Sequence, residues 1–112
     1  MTAQPREIKQ YTTSGSEIPF DKWFNALRDI RAQARIEQRL DRLESGNIGD
    51  CKPVGDGVYE LRIDYGSGYR IYFGQIGAVV VLLLCGGDKS TQNRDIRKAK
   101  DYWQDFRRQN ND

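Results

Sequence analysis

Within the segment VYELRIDYGSGYRIYF, Val58 to Phe73, four residues have the types and spacing to form a site. The segment reads as two short strands around a glycine-containing turn. Successive strand side chains point to opposite faces, so Tyr59, Leu61 and Ile63 share one face, as do Tyr69, Ile71 and Phe73. Pairing apolar with apolar sets Leu61 opposite Ile71 and Ile63 opposite Tyr69, around an odd-numbered loop centred near Gly66. That register puts Arg62 opposite Arg70 and Glu60 opposite Tyr72 on the other face. Directly opposed like charges destabilise a sheet, so the arginine pair requires an explanation.

A structural explanation is a solvated face on which Glu60 bridges both arginines, or a shifted register. The chemical explanation is a fork of two guanidiniums for a phosphate, the geometry Arg matches best. Lys52 before the hairpin and Lys89 after the next strand supply two cations to rim the same face. Tyr72, with Tyr65 and Tyr69 near the turn, supplies rings on which an unpaired base stacks. Cations, one carboxylate and aromatic rings together suit a single-stranded RNA phosphodiester.

Composition narrows the chemistry. The chain contains no His, and Cys51 and Cys85 lack CxxC spacing, so neither a metal site nor a cofactor is expected and both cysteines read as small packing residues. Without His, proton transfer falls to Glu, Asp, Lys, Arg or Tyr. The net charge of +2, from 18 basic and 16 acidic residues, is too mild to mark a nucleic-acid binder, so only clustering of charge can do so.

The elements that must position these residues follow from periodicity. The 112 residues suit one domain, 1–112, with 38% apolar residues to fill one core. Arg6 to Thr13 reads as a strand, and Pro19 begins a helix with Phe20, Trp23, Phe24 and Leu27 as its buried stripe. A break near Asp29 separates a second helix, Ile30 to Glu44, which Gly46 ends in a left-handed conformation. After a loop, SGNIGDCKPVGDG, come three strands: Val58 to Asp64, Tyr69 to Phe73, and Ala78 to Cys85. The last of these does not alternate, so it lies inside the sheet with both faces covered. GGDKSTQNRD leaves the sheet and enters a helix from about Asn93 to Arg108, with Ser90, Thr91 and Asn93 as possible N-caps. The order β-α-α-β-β-β-α implies an α+β fold, a small, mostly antiparallel sheet covered by helices.

On the helical segment Arg28, Arg31, Arg35, Arg39 and Arg42 follow three-and-four spacing and form a stripe if the helices are continuous. The stripe is either a solvated face flanked by Glu37, Asp41 and Glu44 or a surface for an acidic partner. No apolar run reaches the roughly 20 residues of a membrane span, so a soluble, cytoplasmic protein is expected.

The segments GDGVYELRIDYGSGYRIYF and VVVLLLCGGDKSTQNRDIRKAKDYW resemble the RelE/ParE toxin superfamily, specifically the HigB-like addiction-module killer proteins. That resemblance implies a ribonuclease toxin that cleaves mRNA on the translating ribosome and is neutralised by an antitoxin, usually a helix-turn-helix protein. Arg62 and Arg70 match basic strand positions that contact the scissile phosphate, and Lys89 matches a basic position just beyond the last strand. Glu60 stands where some relatives have lysine and is a candidate base, with Tyr72 and Lys89 as rivals. No tyrosine occurs early in the last helix, where several relatives place one. The superfamily also includes gyrase-directed toxins without a nuclease site, so the alternative is a non-nuclease toxin or inactive remnant that acts by binding a protein.

Overall fold

The computed structural model describes residues 4–110. Its elements are β1 (Glu7–Gln10), α1 (Pro19–Ala26), α2 (Ile30–Glu44), β2 (Cys51–Gly55), β3 (Val58–Ile63), β4 (Tyr69–Ile76), β5 (Val80–Asp88), a 3-10 turn (Lys89–Thr91) and α3 (Gln92–Gln109). The expected helix break is present: Asp29 is the N-cap of α2, its carboxylate accepting from the N–H groups of Arg31 and Ala32. Gly46 ends that helix with a φ of +92°, where a side chain would collide with the Gln4 backbone.

The sheet is mostly antiparallel, as expected, with one strand more than the sequence reading gave and one parallel pair. It has five strands in the order β1-β5-β4-β3-β2, because β2 lies within the segment read as a loop. It is also mixed: β1 runs parallel to β5, Glu7 pairing with Val80 and Gln10 with Leu83, and the other three pairings are antiparallel. β2 can carry Pro53 because it is an edge strand, where a missing N–H costs the ladder little, and its register shifts between Pro53 and Gly55.

Helices cover both faces of this sheet. Phe20 of α1 and Ile36 and Leu43 of α2 pack on Leu61, Ile63, Ile71, Phe73, Val81 and Leu83. Ala99 and Trp103 of α3 pack on Val58, Tyr72, Leu82, Leu84 and Cys85 from the other side. A bulge accounts for the missing alternation in β5. Tyr72 pairs with Cys85 but Phe73 pairs with Leu83, so Leu84 is the extra residue and joins Cys85 on the α3 side.

β5 continues through Gly86, Gly87 and Asp88, residues read as leaving the sheet. These glycines let helices approach closely: a Cβ on Gly86 would lie 2.3 Å from the Trp23 ring. A Cβ on Gly74 would lie 2.2 Å from Trp103. Gly74→Ala is therefore expected to destabilise the protein by roughly 1–3 kcal/mol through overpacking, measured by urea unfolding. An unchanged midpoint would show that Trp103 can move aside. Among the described residues, no helix is long and apolar enough to cross a membrane.

Candidate active site

The hairpin register is the one its apolar pattern required. Leu61 pairs with Ile71, Ile63 with Tyr69, Arg62 with Arg70 and Glu60 with Tyr72. Opposed residues share a face, so Lys52, which pairs with Glu60, joins this group from β2 and is exposed there.

The surroundings of that face are not those of an open hairpin. The start of α3 covers it, and Glu60 is completely buried. Its carboxylate accepts from Gln92 Nε2 at 2.7 Å, Arg62 Nε at 2.9 Å and the Tyr72 hydroxyl at 3.0 Å. Burial raises the pKa of such a group, but these three donors together outweigh it and hold Glu60 below the usual carboxylate range. Glu60 is thus ionised at neutral pH, shielded from solvent and weakly basic. It is placed to position cations rather than to take a proton from a substrate. Gln92 is the residue that sequence reasoning missed: it stands in the first turn of α3, and nothing local to that turn reveals which strand residue its amide meets.

The two arginines approach the same Glu60 oxygen unequally. Arg62 Nε hydrogen-bonds to it at 2.9 Å, whereas Arg70 Nε lies 3.9 Å away and is buried without a hydrogen-bond partner. One carboxylate thus faces two guanidiniums, leaving the pair with a net positive charge. Arg62 is about one-third exposed at its side chain and Arg70 about one-eighth (32% and 12%), so Arg62 forms the outer edge. Lys89 is exposed in the 3-10 turn, and its N–H donates to the Ser67 carbonyl in the β3–β4 turn. Lys89 Cβ and Arg70 Nη1 lie 3.4 and 3.7 Å from the point a Gly68 Cβ would occupy, which places both beside that turn. The 3-10 turn is fixed by Asp88, whose carboxylate accepts from the Ser90 N–H, and the Thr91 side chain does not cap α3.

The tyrosines expected to stack on bases are otherwise engaged. Tyr72 is fully buried, and its hydroxyl, whose pKa is driven far up by burial and by Glu60, can neither stack nor exchange a proton readily. Tyr65 and Tyr69 pack on the α1/α2 side, the face opposite Arg62 and Arg70. Tyr65 stacks on Tyr69 with centroids 6.4 Å apart, carries the Arg35 guanidinium over its ring at 5.0 Å, and donates its hydroxyl to Asp29.

The arginine stripe is also divided. Arg28 lies in the break between α1 and α2, and Arg28, Arg31, Arg35 and Arg42 are exposed or partly so. Arg39 is buried instead, donating through Nη2 to the carbonyls of Ile48 at 2.5 Å and Asp50 at 3.3 Å. It anchors the segment that leads into β2. A helix that drifts around its axis places every fourth residue on a slowly rotating line, and this line turns inward at Arg39.

Comparison with known sequences adds a finding independent of this geometry. Residues 22–104 match the family described as "Phage derived protein Gp49-like (DUF891)". An uncharacterized protein of Haemophilus influenzae is 54% identical over 83 residues, which span 74% of this chain and 84% of that protein.

Proposed function

The chain belongs to the phage-derived Gp49-like family, and we propose that it is the toxin of a toxin–antitoxin pair with the RelE/ParE type of fold, acting as an endoribonuclease on translated mRNA. The observation that carries this reading is the Arg62/Arg70 pair held around one buried carboxylate. Two guanidiniums with one counter-charge leave a cationic site whose remaining donors suit a phosphate. In the proposed step the RNA 2′-hydroxyl gives up its proton to solvent as it attacks the adjacent phosphorus, a 2′,3′-cyclic phosphate forms, and the 5′-oxygen leaves with a proton from Lys89. Arg62 and Arg70 stabilise the charge that grows on the phosphate oxygens, and Glu60 orients them. Lys89, exposed beside Arg70, donates that proton in this reading, and Lys52 holds the flanking backbone. This chemistry draws on residues of the chain alone and calls for no metal.

The site of action in this reading is the ribosome in the cytoplasm. A helix-turn-helix antitoxin silences the toxin, with Arg28, Arg31, Arg35 and Arg42 offering an acidic partner a complementary surface. Inducing the chain alone in a bacterium is expected to arrest growth with loss of intact translated mRNA, and co-expressing the product of the neighbouring gene is expected to prevent both. Mapping of mRNA 5′ ends reads the outcome. Arrest with intact transcripts and altered plasmid supercoiling would instead identify a protein-binding toxin of the gyrase-directed kind.

A further inference from the structure

A second concentration of positive charge lies where α2 passes the end of β3. Arg35, Gln38, Arg39 and Arg42 of α2, with Arg62 and Asp64, line one cleft of about 210 Å³. Four arginines and one aspartate line it. The β2–β3 ladder stops with Cys51 opposite Leu61, and the Arg62 N–H then bonds to the Asp50 carbonyl, so the sheet has a corner here.

Arg39 distinguishes this cleft from a solvated row of charges. The residue is only 8% exposed, and its Nη2 is used by the carbonyls of Ile48 and Asp50. Its Nη1 is buried with no hydrogen-bond partner. Anchoring the loop explains the first nitrogen and leaves the second unexplained. Burial, followed by repulsion from Arg42, lowers the pKa of Arg39, so the protein holds this cation where it is unfavourable. An anion in the cleft would relieve the repulsion between these cations.

We propose that this cleft is a phosphate subsite, holding the RNA backbone phosphate next to the one at the Arg62/Arg70 fork. The inference rests on the RNA reading above, and Arg62 connects the two positions. Its Nε is committed to Glu60 on the fork side, and the residue also lines the cleft. Two anion sites that share one arginine fit a polyanion with evenly spaced charges.

The test uses a fluorescent 2′-O-methyl hexanucleotide, which lacks the attacking hydroxyl and reports binding without cleavage. Arg35→Gln with Arg42→Gln alters only side chains at the surface, and is expected to weaken binding at least tenfold and to reduce the salt slope by about 0.7, the share of a single phosphate. Arg97→Gln, exposed on α3 and outside both positions, is expected to change binding less than twofold. Neutralising single linkages as methylphosphonates should weaken wild-type binding most at two adjacent linkages, and one of the two penalties should vanish in the double variant.

A double variant that binds as Arg97→Gln does, or a penalty spread evenly over all linkages, would overturn the subsite. So would a double variant that no longer binds a poly-glutamate peptide yet binds the oligonucleotide as before, which would mark the cleft as a protein surface. Tight, linkage-specific binding without cleavage of unmodified RNA would uphold the subsite while removing the proposed nuclease activity.

Discussion

Glu60→Ala is expected to lower the melting temperature by roughly 10–20 °C, because removing one member of a buried ionic group costs about 3–5 kcal/mol. The cost arises from what is left behind. Tyr72 is fully buried with its hydroxyl aimed at the missing oxygen, and the partly buried Gln92 amide is deprived of its acceptor at 2.7 Å, so one desolvated donor and one partly shielded donor go unpaired. Arg62 suffers less, since its outer portion reaches water. Glu60→Gln should cost less than Glu60→Ala: the amide oxygen can still accept from Arg62, and the Tyr72 hydroxyl can turn to accept from the new NH2. Thermal melts of the three proteins at pH 7 give the order wild type, Gln, Ala. Equal stabilities would mean that the carboxylate is not the hub that fixes this face.

The same residue makes stability depend on pH in a definite direction. The pKa of Glu60 is lower in the folded protein than in the unfolded chain, where it takes the ordinary Glu value of about 4.3. Below that value the unfolded chain binds the proton first, so the contribution of Glu60 is intact above about pH 5 and is lost as pH falls through the lowered folded value. The gap between wild type and Glu60→Gln should therefore be widest near neutrality and should narrow in acid. A gap that widened in acid would require Glu60 to be protonated in the native state.

Much of this arrangement was legible because its causes are local. The alternation of Tyr59, Leu61 and Ile63 against Tyr69, Ile71 and Phe73, joined by a short glycine turn, favours the register that puts all six on one side and Leu61 opposite Ile71, and that register is the one observed. The break near Asp29 was legible between two apolar stripes, and the structure gives its cause: the Asp29 carboxylate takes up the free N–H groups of the first turn of α2. What escaped was non-local. β1 and β5 pair across a separation that no periodic pattern spans, and β2 contains Lys, Pro and Gly, which suit a loop as well as an edge. The burial of Tyr72 escaped for a related reason. A strand face with two arginines and a glutamate reads as open to water, and only the arrival of α3 with Gln92 turns it into an interior one. Arg39 was likewise placed on the right helix but assigned to the wrong environment, because helical spacing gives a direction and not what lies along it.

The last expectation separates the two arginines that the sequence treats alike. Arg70→Ala should lower RNA cleavage by more than tenfold and leave the melting temperature within a few degrees of wild type. In the folded protein Arg70 Nε stands 3.9 Å from Glu60 and makes no hydrogen bond, so its deletion removes little that stabilises the ground state. If the residue acts on charge that develops during the reaction, the loss falls on kcat and largely spares KM. Arg70→Lys should recover only part of the rate, since an ammonium restores the charge without the planar pair of donors. Arg62→Ala should differ by impairing both properties: it breaks the 2.9 Å hydrogen bond to Glu60 and deletes the outer half of the fork. The comparison is made by measuring cleavage and thermal unfolding on the same preparations. An Arg70→Ala protein that melts early while its folded fraction cleaves at the wild-type rate would assign Arg70 to the architecture of the hairpin, and the phosphate-binding role would then fall to other residues.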